Sequence, residues 1–298
     1  MFWKKDMFVT TNALAKKYGP SVALEACSLH VSQGEVFGLL GHNGAGKTTL
    51  LRLLLGYIAP SAGVACVDGL DCSTQSLAVR SRTAYLPGES RLFRRMKGHV
   101  VLDFFSGLRK ECCRLRANRI ADRLELDCNR QVARMSTGMR QKLALAIVLS
   151  TDVPLVILDE PTANLDPTAR SEVLKMVEES RSAGRTVIFS SHVLSEVEST
   201  CDRVVILRSG NVVHEQSIES IKRSHRITAR LVGPLGKLPT HLEDVVAIRP
   251  AKAVDDVSQV TIESSGSLKE MLGWLAELPL EEVHIEPVGL SSIYEQYT

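Results

Sequence analysis

The sequence has no apolar run near the 18 or so residues that a membrane-spanning helix requires. Its longest run, Leu143–Leu149, is long enough only for a buried helix segment. The first residues, Met1–Asp6, lack the apolar region of a secretory signal peptide. The seven cysteines are odd in number and contain no C-x-x-C pair, so we expect reduced thiols rather than a zinc site or disulfides. These absences predict a cytoplasmic protein.

A glycine-rich run follows one short apolar stretch and precedes another. Glu35–Leu40 is strand-like, Leu50–Leu55 is helix-like, and the run between them fits the pattern G-x-x-x-x-G-K-[ST]. Glycines let backbone N–H groups surround phosphates, and the following helix directs about half a positive charge at them. In this pattern the lysine reaches the β- and γ-phosphates and the hydroxyl binds Mg²⁺. The predicted phosphate-binding residues are Gly41, Asn43, Gly44, Ala45, Gly46, Lys47, Thr48 and Thr49.

Other parts of the chain have the pattern of an α/β protein. Leu155–Leu158 and Thr186–Phe189 are continuous apolar runs of strand length, and Pro167–Arg181 between them is predicted to be a helix. This βαβ arrangement predicts a parallel sheet with helices outside it. After a predicted hairpin turn at Arg208–Asn211 the composition shifts, and residues 216–298 have the pattern of a small α+β domain.

The segment 91–134 differs in charge from the rest of the chain. It contains 12 Arg and Lys residues against 5 Asp and Glu residues, a difference of +7, whereas the whole chain has a net charge of +2. Its apolar residues have helical spacing. The positive charge fits a solvated helical face, or contact with anionic lipid headgroups, an acidic partner or nucleic acid.

A carboxylate pair ends one of the predicted strands. Asp159 and Glu160 follow Leu155–Leu158, at the carboxyl end of a buried parallel strand, where ligands bind in open α/β sheets. Phosphoryl transfer to water needs a metal holder and a group that orients or deprotonates the water. We therefore expect Asp159 to contact Mg²⁺ through its hydration shell and Glu160 to act on the water. Without the glycine loop, two solvated acids would explain the pair equally well.

Three further segments narrow the class of protein. Met135–Met139 precedes an apolar helix, Ala163–Asp166 follows the carboxylate pair, and Ser191-His192 ends another predicted strand. With these motifs in this order, the chain from about Phe8 to Val213 resembles the nucleotide-binding subunit of ATP-binding-cassette (ABC) transporters. The resemblance implies an ATPase that uses ATP and Mg²⁺ at the interface of a head-to-tail dimer.

The resemblance also implies a fold and its boundaries. The family has the P-loop NTPase fold of ABC ATPases, an α/β fold with a mostly parallel sheet core, an antiparallel β subdomain and a helical subdomain. We expect the ATPase domain at 1–215, with the helical subdomain at about 88–150, and a small accessory α+β domain at 216–298. Glu286–Tyr294 looks like the end of many ABC-2 type subunits, so we expect an exporter.

Single residues also acquire roles from the resemblance. Tyr18 matches the aromatic residue that stacks on adenine. Ser136 and Gly138 match the signature loop, which caps the γ-phosphate of ATP bound to the opposite subunit. Asp166 matches the D-loop that links the two sites, and His192 matches the switch histidine that supports the general base.

Two positions depart from the family pattern. The signature has Thr137 and Met139 where Gly and Gln are usual, and Thr137 resists a positive φ. After the strand Thr83–Pro87 the family has a glutamine that senses Mg²⁺, whereas this chain has Gly88 and then Glu89. Glu89 either contacts the hydrated metal from one residue further on, or only solvates the loop.

The expected partners follow from the same resemblance. They are a second ATPase subunit, another copy or a close relative, and a separate transmembrane permease that docks near Arg91, Arg94 and Arg95 and holds the chain at the cytoplasmic face of the membrane. Nucleic acid is not expected, because ABC-type ATPases of translation or repair usually have two cassettes or a long coiled-coil insertion. A soluble ATPase of that kind and a weakly hydrolysing regulatory cassette are the alternatives.

Overall fold

The computed structural model describes residues 7–108, 113–233, 238–243, 245–254, 257–266 and 268–297. The chain divides into two compact units, Met1–Glu215 and Gln216–Thr298. Two segments discussed above, residues 1–6 and residues 109–112 of the basic segment, lie outside the described residues.

The first unit alternates strands and helices. Its strands are β1 (Met7–Tyr18), β2 (Ser21–Ser32), β3 (Val36–Leu40), β4 (Ala62–Val67), β5 (Leu70–Asp71), β6 (Thr83–Leu86), β7 (Leu155–Asp159), β8 (Thr186–Ser191), β9 (Arg203–Arg208) and β10 (Asn211–Ser217). Its helices are α1 (Lys47–Leu54), α2 (Ser76–Ser81), α3 (Gly98–Leu108), α4 (Arg114–Arg123), α5 (Thr137–Ser150), α6 (Pro167–Ser182) and α7 (Leu194–Thr200), with a 3₁₀-helix at Val132–Arg134.

A six-stranded sheet with the order β10-β9-β3-β8-β7-β6 forms the centre of this unit. The neighbours from β9 to β6 are parallel. β10 joins the edge through the predicted turn, in which Ser209 and Gly210 both have positive φ. Every residue of β3, β7 and β8 is buried, which explains their continuous apolar sequences. The prediction of an α/β fold with a mostly parallel core is confirmed.

A second sheet is antiparallel and has the order β2-β1-β4-β5. The turn between β4 and β5 is the Asp68-Gly69 pair, and both residues have positive φ, as a two-residue hairpin turn requires. This sheet corresponds to the antiparallel β subdomain expected from the sequence.

The helices α3 and α4 lie within the basic segment 91–134, and α5 follows it. Val101 on α3 and Ile120 on α4 are buried, so the apolar stripes of these helices face inward. Arg123 on α4 contacts α6, where its guanidinium lies 2.6 Å from the Glu172 carboxylate and 2.7 Å from the Glu179 carboxylate. The helical region is thereby connected to the sheet region through paired charges.

Membrane spans and thiols can be assessed in the described part of the chain. No helix there is both long and apolar enough to cross a bilayer. The cysteines there are free, and burial raises the pKa of Cys27 to about 11 and that of Cys72 to about 12. Both thiols are therefore protonated at neutral pH and poor nucleophiles.

The second unit is a four-stranded antiparallel sheet with a helix on its apolar side. Its elements are α8 (Ile218–Arg223), β11 (His225–Val232), a 3₁₀-helix (Thr240–Leu242), β12 (Val246–Val254), β13 (Val257–Ser264), α9 (Leu268–Leu275), β14 (Leu280–Pro287) and α10 (Leu290–Glu295). The sheet order is β12-β13-β11-β14. Met271 and Trp274 of α9 pack on Ile227, Val260 and other apolar residues of the sheet.

Strand β11 was not predicted from the sequence, although it is the inner strand between β13 and β14. Ile227, Ala229 and Leu231 are buried and alternate with polar residues, which is the pattern of a strand with one covered face. Arg226 and Arg230 interrupt the apolar sequence and obscure the strand.

We expect Met271→Ala to destabilise the second unit by about 2–5 kcal/mol, because the fully buried side chain would leave a cavity. Trp274 is one of only two tryptophans in the chain, so its fluorescence in a Trp3→Phe background reports unfolding of this unit. Leu272→Ala is the matched control, since Leu272 is 44% exposed on the same helix and its loss should change stability by less than about 0.5 kcal/mol. Equal effects of the two substitutions would contradict the packing described.

Candidate functional site

A cleft of about 350 Å³ lies where β3 ends and α1 begins. The glycine loop between these elements forms its floor, and residues 21–23 of β2, Gly88 and the carboxylate pair at 159–160 complete its wall. The sheet accounts for this grouping, because β3, β8 and β7 are parallel neighbours and their carboxyl ends lie at one edge.

Two glycines of the loop are required by close backbone contacts. A Cβ at Gly41, whose φ is 155°, would lie 2.5 Å from the Leu207 carbonyl oxygen. A Cβ at Gly46, whose φ is 107°, would lie 2.7 Å from the Ala23 carbonyl oxygen. The loop therefore keeps its curvature because side chains are absent at both points, and its N–H groups stay free of Cβ obstruction at the start of α1.

Lys47 is the first residue of α1, and its side chain folds back over the loop. The ammonium nitrogen Nζ lies 2.5 Å from the Gly41 carbonyl oxygen and 3.3 Å from Glu160 Oε1. The residue is only 7% exposed, so its positive charge is concentrated in the cleft. This is the position that an ammonium group needs for contact with the terminal phosphates of a nucleoside triphosphate.

Thr48 and Asp159 meet beside the lysine. Thr48 donates its hydroxyl hydrogen to Asp159 Oδ2 at 3.0 Å, and Ser190 donates to Asp159 Oδ1 at 2.6 Å. A hydroxyl and a buried carboxylate are oxygen donors, which Mg²⁺ prefers, and Mg²⁺ commonly takes only one or two protein ligands alongside phosphates and water. The donor set therefore fits the predicted metal ion. Ser190, which fixes the carboxylate, was missed by the sequence analysis.

The predicted general base, Glu160, contacts the predicted switch histidine. His192 Nδ1 lies 2.6 Å from Glu160 Oε2. Because a carboxylate can only accept, His192 Nδ1 carries the proton, and in the neutral ring Nε2 is left as an acceptor. Glu160 thus lies between His192 and Lys47, and the structure brings together all three residues predicted to be catalytic.

A buried carboxylate joins the segments that carry Glu160 and His192. Glu196 on α7 is 6% exposed, and its Oε2 accepts hydrogen bonds from Thr162 at 2.7 Å and from Ser191 at 3.1 Å. The bonds fix the residue two positions after Glu160 and the residue directly before His192. Glu196 was not singled out from the sequence, because a lone acid on a short helix has no recognisable spacing.

The signature loop lies at the N-terminus of α5, outside the cleft of its own chain. Ser136 is the N-cap of this helix and accepts a hydrogen bond from the Met139 N–H at 3.2 Å. Thr137 is the first residue of α5 and has no positive φ, so it does not strain the loop as its β-branched side chain suggested. Arg140 braces the loop through the Met135 carbonyl oxygen at 2.6 Å.

The D-loop residue Asp166 is also outside the cleft, at the N-cap of α6. Its Oδ1 accepts from the Ala169 N–H at 2.8 Å, and its Oδ2 lies 3.1 Å from Lys142 Nζ on α5. The N–H of Ala169 and the Lys142 ammonium lower the pKa of Asp166 below its usual value. Asp166 is therefore ionised at neutral pH and connects the starts of α5 and α6.

Two further predicted residues face solvent. Tyr18 is 48% exposed at the end of β1, with Lys16 Nζ 5.1 Å from its ring centroid, and it does not line the cleft. The Glu89 side chain is 87% exposed and lies 3.6 Å from Arg91. The residue nearest to Asp159 in this loop is instead Gly88, where an added Cβ would lie 3.7 Å from Asp159 Oδ2. A metal contact through Glu89 stays a prediction that this geometry does not support.

The fold and the cleft together define a P-loop ATPase, and comparisons with known proteins agree. The family model described as ABC transporter matches residues 24–163. The ABC transporter ATP-binding protein NatA of Bacillus subtilis is 37% identical over 68% of this chain and 85% of that protein. The Nod factor export ATP-binding protein I of Paraburkholderia xenovorans is 32% identical over 78% of each chain.

A solved structure of an ATP-binding subunit of an ABC transporter is similar as well. It has a TM-score of 0.67 and 28% identity, over 72% of this chain and 92% of that one. The chain belongs to the ATP-binding proteins of ABC transporters, and it is an ATPase of that family.

We expect Lys47→Ala to weaken nucleotide binding by about 1.5–3 kcal/mol, because charge-assisted hydrogen bonds to phosphate would be lost. This corresponds to a dissociation constant raised about tenfold to a hundredfold, measurable by titration with a fluorescent ATP analogue. Lys175→Ala is the control, since Lys175 is an exposed lysine on α6 that pairs only with Glu172 in the described contacts. Unchanged affinity in Lys47→Ala would mean that the glycine loop is not the phosphate site.

Proposed function

We propose that this ATPase powers export through a separate membrane permease, and that it does so as a head-to-tail dimer. The name of the Paraburkholderia relative includes export, and the chain covers 78% of that protein. The observation that carries the proposal is the contact of Lys47, Glu160 and His192 in one cleft beside Thr48 and Asp159. A lysine, a general base and a metal-binding pair are what phosphoryl transfer to water requires.

The dimer is proposed because the cleft lacks part of the predicted machinery. Ser136 and Gly138 do not line the cleft of their own chain, and Ser136 is exposed at the start of α5. An exposed helix N-terminus can donate N–H groups to an anion on another molecule. In a head-to-tail pair, each α5 would supply these groups to the γ-phosphate bound by the opposite chain, and Tyr18 would stack on the adenine.

In the proposed mechanism the residues of the cleft have separate roles in binding phosphate, binding the metal ion and orienting the water. The N–H groups of the glycine loop and the Lys47 ammonium bind the β- and γ-phosphates. Mg²⁺, held through Thr48 and Asp159, would neutralise charge on the phosphates. Glu160 orients the attacking water and accepts its proton, and His192 donates from Nδ1 to Glu160 Oε2, which keeps the carboxylate directed into the cleft.

For the permease we propose a docking surface on the helical region. Phe93, Phe104 and Phe105 form an aromatic cluster with ring centroids 5.1–6.2 Å apart. Phe93 and Phe104 are 47% and 39% exposed, and Arg94 and Arg95 follow directly in sequence. Exposed aromatic residues beside arginines are typical of the centres of protein interfaces. The same contact would hold the chain at the cytoplasmic face of the membrane.

We expect Glu160→Gln to preserve ATP binding, to abolish turnover and to trap an ATP-bound dimer, because the amide cannot accept the proton of the water. Phosphate release and size-exclusion chromatography with ATP measure these effects. Glu178→Gln, which changes an exposed glutamate on α6, serves as the control. Normal turnover by Glu160→Gln would refute the assignment of the general base.

We expect Phe93→Ser with Phe104→Ser to release the chain from membranes of its native cell, because the aromatic contact with the permease would be lost. The measurement is the fraction of tagged chain that sediments with the membranes. Leu77→Ser removes an apolar side chain on α2 that is even more exposed, at 78%, and should leave that fraction unchanged. Equal release by both variants, or by neither, would remove the aromatic cluster from the proposed interface.

A further inference from the structure

The backbone of the general base has an uncommon conformation. Glu160 has a φ of 52°, in the left-handed region that residues with a Cβ seldom adopt. Such a residue keeps this conformation only when its surroundings hold it there. On one side, the Glu160 N–H donates to the Ser190 hydroxyl at 3.1 Å and lies 3.2 Å from the Ser190 carbonyl oxygen. What holds the carbonyl side therefore bears on the direction of the catalytic carboxylate.

Gln141 of α5 supports the carbonyl side. Its Nε2 donates to the Glu160 carbonyl oxygen at 3.3 Å and to the Pro161 carbonyl oxygen at 3.1 Å. Because both partners are acceptors, the NH₂ of the amide must face them, and its oxygen must face the other way. The side chain is 5% exposed, so the bonds are shielded from water. Two hydrogens of one buried amide thus secure two successive carbonyls at the point of strain.

The oxygen of the same amide faces the loop that follows β6. Ser90 donates its hydroxyl hydrogen to Gln141 Oε1 at 3.3 Å. In this loop Gly88 has no side chain to offer and Glu89 faces solvent beside Arg91. Ser90 is therefore the side chain of residues 88–90 that reaches the support of the general base.

The same loop is also tied to the start of α5. The Ala133 N–H donates to the Arg94 carbonyl oxygen at 2.8 Å, and the Val132 N–H donates to the Met96 carbonyl oxygen at 2.9 Å. Both donors lie in the 3₁₀-helix Val132–Arg134, which leads into the signature loop. Residues 90–96 are thus connected to Gln141 by two routes, directly through Ser90 and through the beginning of the helix that carries Gln141.

We propose that Gln141 is a positioning residue that keeps Glu160 in its catalytic orientation, and that Ser90 makes this support depend on the loop at 88–96. The inference rests on the proposed role of Glu160 in hydrolysis. In this chain the loop is connected to the general base through the side-chain amide of Gln141, which is hydrogen-bonded to the Glu160 carbonyl oxygen. No side chain at position 88 takes part in this connection.

Gln141→Met tests the first part, because methionine keeps the size of the side chain but cannot donate to the two carbonyls. We expect kcat for ATP hydrolysis to fall about tenfold to a hundredfold, as for a small misplacement of a catalytic group, with KM for ATP nearly unchanged. Gln216→Met is the matched control, since Gln216 also donates through its amide, to the Ser220 hydroxyl at 3.2 Å, and lies outside the 88–96 loop and α5. Wild-type kcat in Gln141→Met would overturn the proposal.

A second measurement distinguishes the orientation of Glu160 by Gln141 from a general role of Gln141 in the stability of the fold. In a Glu160→Gln background, Gln141→Met should leave the amount of ATP-trapped dimer and the melting temperature almost unchanged, since only the direction of the base is affected. If the double variant loses the trapped dimer, Gln141 supports the fold in general and the proposal is overturned. If wild-type protein fails to hydrolyse ATP, or Glu160→Gln still does, the proposed function fails instead.

Ser90→Ala tests the connection to the loop. We expect kcat to fall less than in Gln141→Met, because the two bonds to the carbonyls remain, and Ser90→Thr should restore it by restoring the hydroxyl. In the Gln141→Met background Ser90→Ala should have no further effect, since the two residues act in series. Additive losses in the double variant would show that Ser90 does not act through Gln141.

Discussion

The parallel pairing of β3, β8 and β7 is the constraint on which the rest of the site depends. Leu40 pairs with Ser191 and Asp159 pairs with Ser190, so the three strands end at one level. Lysine, carboxylates and histidine are far apart in sequence, yet each lies at or shortly after one of these strand ends. The charges then partner one another in a cleft, where paired ions are less costly to bury than single ones. The register of the apolar strands thus brings the catalytic side chains together at one edge of the sheet.

Much of this arrangement follows from the sequence, because the decisive signals are local. The glycine loop, the Asp159-Glu160 pair and the buried strands can be identified from residue types within a few positions. The contributions of Ser190, Gln141 and Glu196 could not, since each depends on a neighbour at least five and up to 34 positions away in the chain. The role of such a serine or glutamine depends on which groups the fold places next to it, and the spacing of residues in the sequence does not reveal these neighbours.

The two departures from the family pattern have different physical outcomes. At position 137 helix α5 has already begun, so threonine adopts an ordinary helical conformation, and Arg140 donates to its hydroxyl at 3.2 Å. At position 88 the change is larger, because glycine leaves the neighbourhood of Asp159 without a side chain. The sequence directed attention to Glu89 as the substitute, but the direction of an exposed side chain in a loop depends on partners such as Arg91.

The close packing of Gly138 against the turn at Asn164 limits which residues related chains can carry at these two positions. A Cβ at this position would lie 2.5 Å from the carbonyl oxygen of Asn164, which itself has a φ of 61°. Any side chain at 138 would force the turn at 164 to retreat, and the turn carries Asp166 with it. We therefore expect the two positions to vary together among related chains. Variation at one without the other would mark a copy in which the signature loop and the D-loop no longer approach each other this closely.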